Sequence, residues 1–173
     1  MQNLILIGMM GCGKTTVGTL LARTLDRELA DTDVIIEARA GKTIPAIFSE
    51  HGEAYFRTLE HAVSKELGKR EDLVISCGGG LPLRDGAITA LKETGVVFWL
   101  DRDPGETYDS LDKSGRPLAQ AGRSDFLARY EARVPVYRRW ADHIIRSKTP
   151  EDAADAVARF YLGPQGRSSC HPV

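Results

Sequence analysis

The sequence predicts an α/β fold with a parallel sheet, on three observations. Leu4-Ile5-Leu6-Ile7 is apolar throughout, as a strand covered on both faces of a sheet should be. A glycine-rich turn joins it to a helical pattern, and strand and helix candidates then alternate along the chain. The length of 173 residues, with 42% hydrophobic and 27% charged residues, suits a soluble globular domain with one sizeable core.

The elements follow in order. After the first strand, residues 16–25 read as a helix, with Val17, Leu20, Leu21 and Leu25 at helical spacing. Further strands are expected at Glu28 to Ala30, Leu73 to Ser76, Val96 to Leu100 and His143 to Ile145. Phe56, Leu59, Val63 and Leu67 form an apolar stripe on one helix, with Glu53, Arg57, Glu60 and Ser64 on another face. The last helix has Thr149 as its cap, Pro150 at its first position and Glu151 and Asp152 in its first turn. Two segments stand outside this pattern. Residues 112–124 are polar and glycine-containing and carry Lys113, Arg116 and Arg123, as expected of a functional, mobile loop. Residues 163–173 offer little to bury and read as a disordered tail after one domain, 1–162.

Charge and cysteine content narrow the classes. Lys plus Arg is 23 and Asp plus Glu is 24, so a net charge of -1 offers no general field for nucleic acid or an anionic membrane. Cys12, Cys77 and Cys170 are too widely spaced for a disulfide framework or a zinc pattern, which suggests reduced thiols. The apolar stretch from Leu4 to Cys12 lacks a basic flank and runs into Lys14-Thr15-Thr16 rather than a cleavage site. A cytoplasmic monomer, without nucleic-acid or membrane partners, is the expectation.

Gly8-Met9-Met10-Gly11-Cys12-Gly13-Lys14-Thr15 matches G-x-x-x-x-G-K-[ST] at every fixed position. Glycines let the backbone curl so that successive N–H groups point at phosphate oxygens, and the next helix adds its positive end. Lys14 then reaches the β- and γ-phosphates, and the Thr15 hydroxyl can ligate Mg²⁺. The plainer reading is a glycine-rich turn with a solvated Lys14. The preceding strand and following helix supply the context the motif needs, so Gly11, Cys12, Gly13, Lys14, Thr15 and Thr16 are assigned to ATP. No Asn- or Thr-Lys-x-Asp element is present to read guanine.

Beyond this loop, Asp31-Thr32-Asp33, Phe56-Arg57, Gly78-Gly79-Gly80, Gly115-Arg116-Pro117-Leu118 and Arg133-x-Pro135-x-Tyr137 follow in order. With the phosphate loop, this ordered set resembles the shikimate kinases, from Leu4 to about Phe160. The resemblance implies a P-loop NTPase fold, a five-stranded parallel sheet with helices on both faces and a mobile lid. It implies transfer of the ATP γ-phosphate to the 3-hydroxyl of shikimate, with Mg²⁺ as cofactor, in the chorismate route to aromatic amino acids.

Each residue also has a plainer account. Asp31 and Asp33 are two apart, on what reads as an extended strand end, and so face the same side; both also suit helix capping. The resemblance gives Asp31 to Mg²⁺ through water, and Asp33 to the accepting hydroxyl and its proton. Arg57 reads plainly as a surface partner of Glu53; the resemblance pairs it with Arg133 as the two guanidinium groups that grip the shikimate carboxylate. Gly78-Gly79-Gly80 is either a strand-to-helix turn or the place where Gly79 and Gly80 bring backbone to the substrate. Arg116 is a solvated loop arginine or, by resemblance, a catalytic lid residue over ATP. Cys12 sits beside a helix N-terminus and Lys14, a setting that favours thiolate. One departure is visible: Ser110 falls where many relatives carry an adenine-packing arginine, Arg102 lies too early for that role, and Lys148 or Thr149 are the alternatives. A gluconate kinase and a nucleotide-binding module without catalysis are the rival readings.

Overall fold

The computed structural model describes residues 1–111 and 122–163. Five strands form one sheet in the order β2-β3-β1-β4-β5, and every neighbouring pair is parallel. The elements are β1 (Asn3–Ile7), α1 (Lys14–Leu25), β2 (Glu28–Asp31), α2 (Thr32–Ala40), α3 (Ile44–Leu67), β3 (Leu73–Ser76) and α4 (Asp85–Lys92). They continue with β4 (Gly95–Leu100), α5 (Pro104–Asp109), α6 (Arg123–Trp140), β5 (His143–Ile145) and α7 (Pro150–Leu162). A 3₁₀ turn at Leu81–Leu83 precedes α4. All five expected strands are present.

Strand alternation divides the core into two layers. Ile5 and Ile7 of β1, with Ile75, Val97 and Trp99, face a layer that includes Ile36, Phe56, Ile88 and Tyr137 from α2, α3, α4 and α6. Leu4 and Leu6, with Val74, Phe98 and Leu100, face the other layer, built from Val17 and Leu21 of α1 and Ala153 and Val157 of α7. β1 is buried along its whole length because helices cover both faces. Among the described residues, no helix is long and apolar enough to cross a membrane.

Buried Asn3 fastens the amino-terminal edge of the sheet. Its Nδ2 donates to the Arg70 carbonyl (2.7 Å) and to Thr94 Oγ1 (3.0 Å), while Oδ1 accepts from Leu73 N–H (2.9 Å). Each polar atom of the side chain is thus satisfied, which removes the cost of burying it.

α7 begins as expected: the Thr149 hydroxyl accepts from Asp152 N–H at 3.1 Å, with Pro150 next in line. Two expectations need correction. α3 breaks at Gly52 (φ 77°, ψ 176°), and beyond the break Glu60 and Ser64 are buried along with the apolar stripe. The expected loop at 112–124 ends sooner, because Arg123 and Ser124 open α6 and Arg123 pairs with Asp109 at 3.4 Å. Residues 112–121 of that loop, with Arg116, and the tail after Gly163 lie outside the described residues.

Candidate active site

The site is at the carboxyl edge of the sheet, where the connections after β1, β2 and β3 converge. The Gly8–Thr15 loop turns through positive φ at Gly8 (145°), Gly11 (79°) and Gly13 (99°), conformations that other residues adopt at a cost. At Gly11 a Cβ would also stand 2.5 Å from Leu111 Cδ1, so that leucine would have to turn aside. The N–H groups of Gly11, Gly13, Lys14, Thr15 and Thr16 have no acceptor among the described residues, and α1 starts at Lys14. These donors and the helix end form a ready anion site. Lys14 is not solvated. It is buried, and Nζ donates to the carbonyls of Gly8 and Met9, each at 2.9 Å.

Asp31 ends β2 and caps α2. Its Oδ1 accepts from Asp33 N–H (3.0 Å) and Val34 N–H (3.4 Å), while Oδ2 accepts from Thr15 Oγ1 (2.9 Å). Capping thus uses Oδ1 and leaves Oδ2 on the Thr15 hydroxyl. The Thr15 hydroxyl and the Asp31 carboxylate are hard oxygen donors and suit Mg²⁺. Among the described residues no three carboxylate, imidazole or thiol groups converge, so a cation here would complete its shell with phosphate and water.

Asp33 is not on an extended segment, as its spacing from Asp31 suggested. Helix α2 begins at Thr32, so Asp33 occupies its first turn. Burial, followed by the nearby Asp31 charge, pushes its carboxyl up to about 6, against the opposing pull of Lys14 and Arg57. A carboxylate tuned to this range can hold, and accept, a hydroxyl proton near neutral pH.

The glycine turn after β3 faces three of these groups in succession. Gly78 N–H donates to Thr32 Oγ1 at 2.9 Å, and a Cβ on Gly78 would stand 2.4 Å from Asp33 Oδ1. A Cβ on Gly79 would stand 3.3 Å from Met10 N and 3.7 Å from Arg133 Nη1. One on Gly80 would meet Arg57 Nη1 at 2.9 Å. The turn thus joins the phosphate loop, Asp33 and both arginines. Gly78 was not among the expected site residues, and it is the one that Asp33 touches.

Arg57 forms the expected pair with Glu53, through Nε at 3.1 Å and Nη2 at 2.9 Å. Its shorter bond is Nη1 to Glu60 Oε2, at 2.6 Å. Glu60 is the residue that sequence reasoning missed. Its side chain is 2% exposed against 59% for Glu53, so Glu60 is the inner anchor. Burial raises its pKa and the Arg57 bond counteracts the rise. The available signal was its i,i+3 spacing from Arg57. Arg133, on α6, donates from Nη1 to the Gly79 carbonyl at 3.2 Å, and the buried Tyr137 hydroxyl donates to the same oxygen at 2.8 Å.

On the nucleotide side, a pocket beside Cys12 is lined by Val17, Leu100, Arg102, Lys148, Thr149 and Pro150, among others. Ser110 instead ends α5, its hydroxyl donating to the Thr107 carbonyl at 3.2 Å. Arg102, just after β4, is among the residues that line this pocket. Cys12 and Cys77 are both buried, and burial pushes the Cys77 thiol well up.

A phosphate-binding loop at the carboxyl edge of a 2-3-1-4-5 parallel sheet, beside an acidic pair and two arginines, defines a P-loop kinase that uses ATP. The shikimate kinase family model matches residues 10–161, and the chain belongs to that family. It is 42% identical over 146 residues to a shikimate kinase of Clostridium beijerinckii, covering 84% of this chain and 86% of that protein. A shikimate kinase of Caldanaerobacter subterraneus is 38% identical over 172 residues, covering 96% of this chain and 100% of its own. Among solved structures, the Acinetobacter baumannii shikimate kinase in complex with shikimate superposes with a TM-score of 0.87 at 35% identity, covering 96% of both chains.

Proposed function

We propose that this chain transfers the γ-phosphate of ATP to the 3-hydroxyl of shikimate, giving shikimate 3-phosphate and ADP, in aromatic amino-acid biosynthesis. The observation that carries the reading is the glycine turn. Over three successive residues it faces Asp33, the phosphate loop with Arg133, and then Arg57. This supports reading Asp33 as the partner of a hydroxyl and the two arginines as partners of a carboxylate, beside the phosphate loop.

In this reading each group has a role. The loop N–H groups of Gly11 to Thr16 and the Lys14 ammonium hold the phosphates. Lys14 exchanges a bond to a loop carbonyl for one to phosphate oxygen. Arg57 and Arg133 grip the carboxylate, and Gly79 and Gly80 let the substrate approach backbone. Asp33 accepts the proton of the attacking hydroxyl as the new O–P bond forms and the bond to the β,γ-bridging oxygen breaks. Thr15 and, through water, Asp31 would hold Mg²⁺, whose charge offsets that of the phosphates. By the family resemblance, Arg116 adds positive charge at the transferring phosphoryl group. The reading keeps the enzyme a cytoplasmic monomer.

A coupled ADP-release assay across shikimate, gluconate and nucleoside monophosphates tests this. Shikimate-dependent ADP release with at least about tenfold preference over the others is expected; equal turnover of gluconate, which also carries a carboxylate, would overturn shikimate as the preferred acceptor.

A further inference from the structure

One buried carboxylate outside the groups assigned above joins both halves of the site. Asp101 directly follows β4, and its side chain is 8% exposed. Oδ1 accepts from the Tyr130 hydroxyl at 2.6 Å, and Oδ2 accepts from Arg146 Nε at 2.8 Å. Its own N–H donates to the Ile145 carbonyl at 2.9 Å. On one side, Arg146 leads directly into Ser147–Pro150, which with Leu100 and Arg102 line the nucleotide pocket. On the other side, Tyr130 shares a face of α6 with Arg133, Val134 and Tyr137, at i, i+3, i+4 and i+7.

The hydrogen bonds along that face divide α6 into two anchored parts. Tyr137 fixes the later part to the Gly79 carbonyl, at 2.8 Å. Tyr130 fixes the earlier part, one turn before Arg133, to Asp101. Pro135 lies between them inside the helix. It has no N–H for the Glu131 carbonyl, so the helix bends most easily there. Arg133 precedes the proline, so two contacts hold its place: the Tyr130–Asp101 bond one turn earlier, and its own Nη1 bond to the Gly79 carbonyl at 3.2 Å.

We propose that Asp101 is a positioning residue coupling the two halves of the site: it ties the loop beside the nucleotide pocket to the helix segment carrying Arg133, so that a bound nucleotide raises affinity for the carboxylate-bearing acceptor. The proposal rests on the reading of Arg133 as a carboxylate ligand. Arg146 is the nucleotide-side leg of the connection and Tyr130 the acceptor-side leg. Such a chain is more than a contact only if it carries coupling free energy between the two ligands, and coupling is what the test measures.

Calorimetric titration of shikimate, with and without saturating ADP and Mg²⁺, reads that coupling in wild type, Tyr130→Phe and Arg146→Ala. Tyr130→Phe removes only a hydroxyl. Arg146→Ala removes a side chain that is 67% exposed and leaves the Tyr130 bond to Asp101 in place. Combined with Asp101→Asn, which removes the charge left unpaired, it decides the matter if a single variant folds poorly. In wild type, nucleotide should tighten shikimate binding at least about fivefold. In both variants that factor should fall below about twofold, while shikimate affinity without nucleotide changes little in Arg146→Ala. A purely structural bond would weaken binding equally in both conditions. Retention of the wild-type factor in Arg146→Ala, or a wild type whose shikimate affinity ignores nucleotide, overturns the proposal. A wild type that binds ADP but no shikimate overturns the acceptor reading, and this one with it.

Discussion

A methyl group on Gly78 would lie 2.4 Å from Oδ1 of Asp33, inside any permissible contact. The absence of a side chain at this one position lets α2 bring its first-turn carboxylate against the end of β3. The position of Asp33 is thus set from outside its own helix.

Gly78→Ala should therefore act on catalysis through Asp33. Overpacking of this kind costs about 1–3 kcal/mol, and relief comes most easily by moving the carboxylate. The expected result is a fall in kcat of at least about tenfold with ADP affinity nearly unchanged. Steady-state kinetics alongside ADP titration checks this; a variant with wild-type kcat would mean that Asp33 tolerates the shift.

Asp33 should trade stability for activity. Its folded pKa of about 6 lies above the ordinary 3.8, so the folded protein binds this proton more tightly than the unfolded chain. The ionised group therefore destabilises the fold fully above about pH 6, and the cost disappears as pH falls towards 3.8. Asp33→Asn should gain up to about 3 kcal/mol at pH 7.5 and nothing near pH 4, while losing roughly 10²-fold or more in kcat. Chemical denaturation at the two pH values reads the first effect. In wild type, kcat/KM for shikimate should fall tenfold per pH unit below about 6.

Arg57→Ala should show two separable losses. Removing a partner from the carboxylate clamp should raise KM for shikimate roughly ten- to hundredfold. It also leaves Glu60 buried and unpaired, which costs about 3–5 kcal/mol unless the carboxyl protonates. Adding Glu60→Gln should restore much of the stability without restoring KM. Denaturation midpoints and kinetics of the single and double variants form the test, and recovery of KM in the double variant would assign the clamp elsewhere.

Thiol labelling should separate the two buried cysteines. Cys12 is 8% exposed and its Sγ is 3.9 Å from Lys14 Nζ, whereas Cys77 is 1% exposed with its thiol pKa raised by burial. Peptide-resolved alkylation should modify Cys12 faster than Cys77, and ATP with Mg²⁺ should slow the Cys12 reaction. Equal Cys12 labelling with and without nucleotide would remove the thiol from the phosphate site.

The phosphate loop and the five strands were legible in the sequence because both are local. A glycine spacing and an apolar run state their structure within a few residues, and β1 appears where Leu4 to Ile7 predicted it. The α7 cap was equally legible, since Thr149, Pro150 and Asp152 are neighbours in the chain. The shikimate assignment needed the ordered resemblance of motifs, because Arg57 alone reads as a surface partner of Glu53.

Other features depended on distance in space. Glu60 and Ser64 stood on a polar face by periodicity, but tertiary packing buries them, which makes Glu60 the inner partner of Arg57. Arg102 and Lys148 are far apart in the chain, yet they line one pocket. Asp33 reads as extended by spacing, whereas the Asp31 cap starts α2 one residue earlier and Gly78 fixes where its carboxylate lies. The sequence alone determined which chemical groups and which local turns this protein has. The tertiary structure decided which are buried, which therefore shift their proton affinity, and which stand opposite one another, because burial and opposition arise only when separate elements pack.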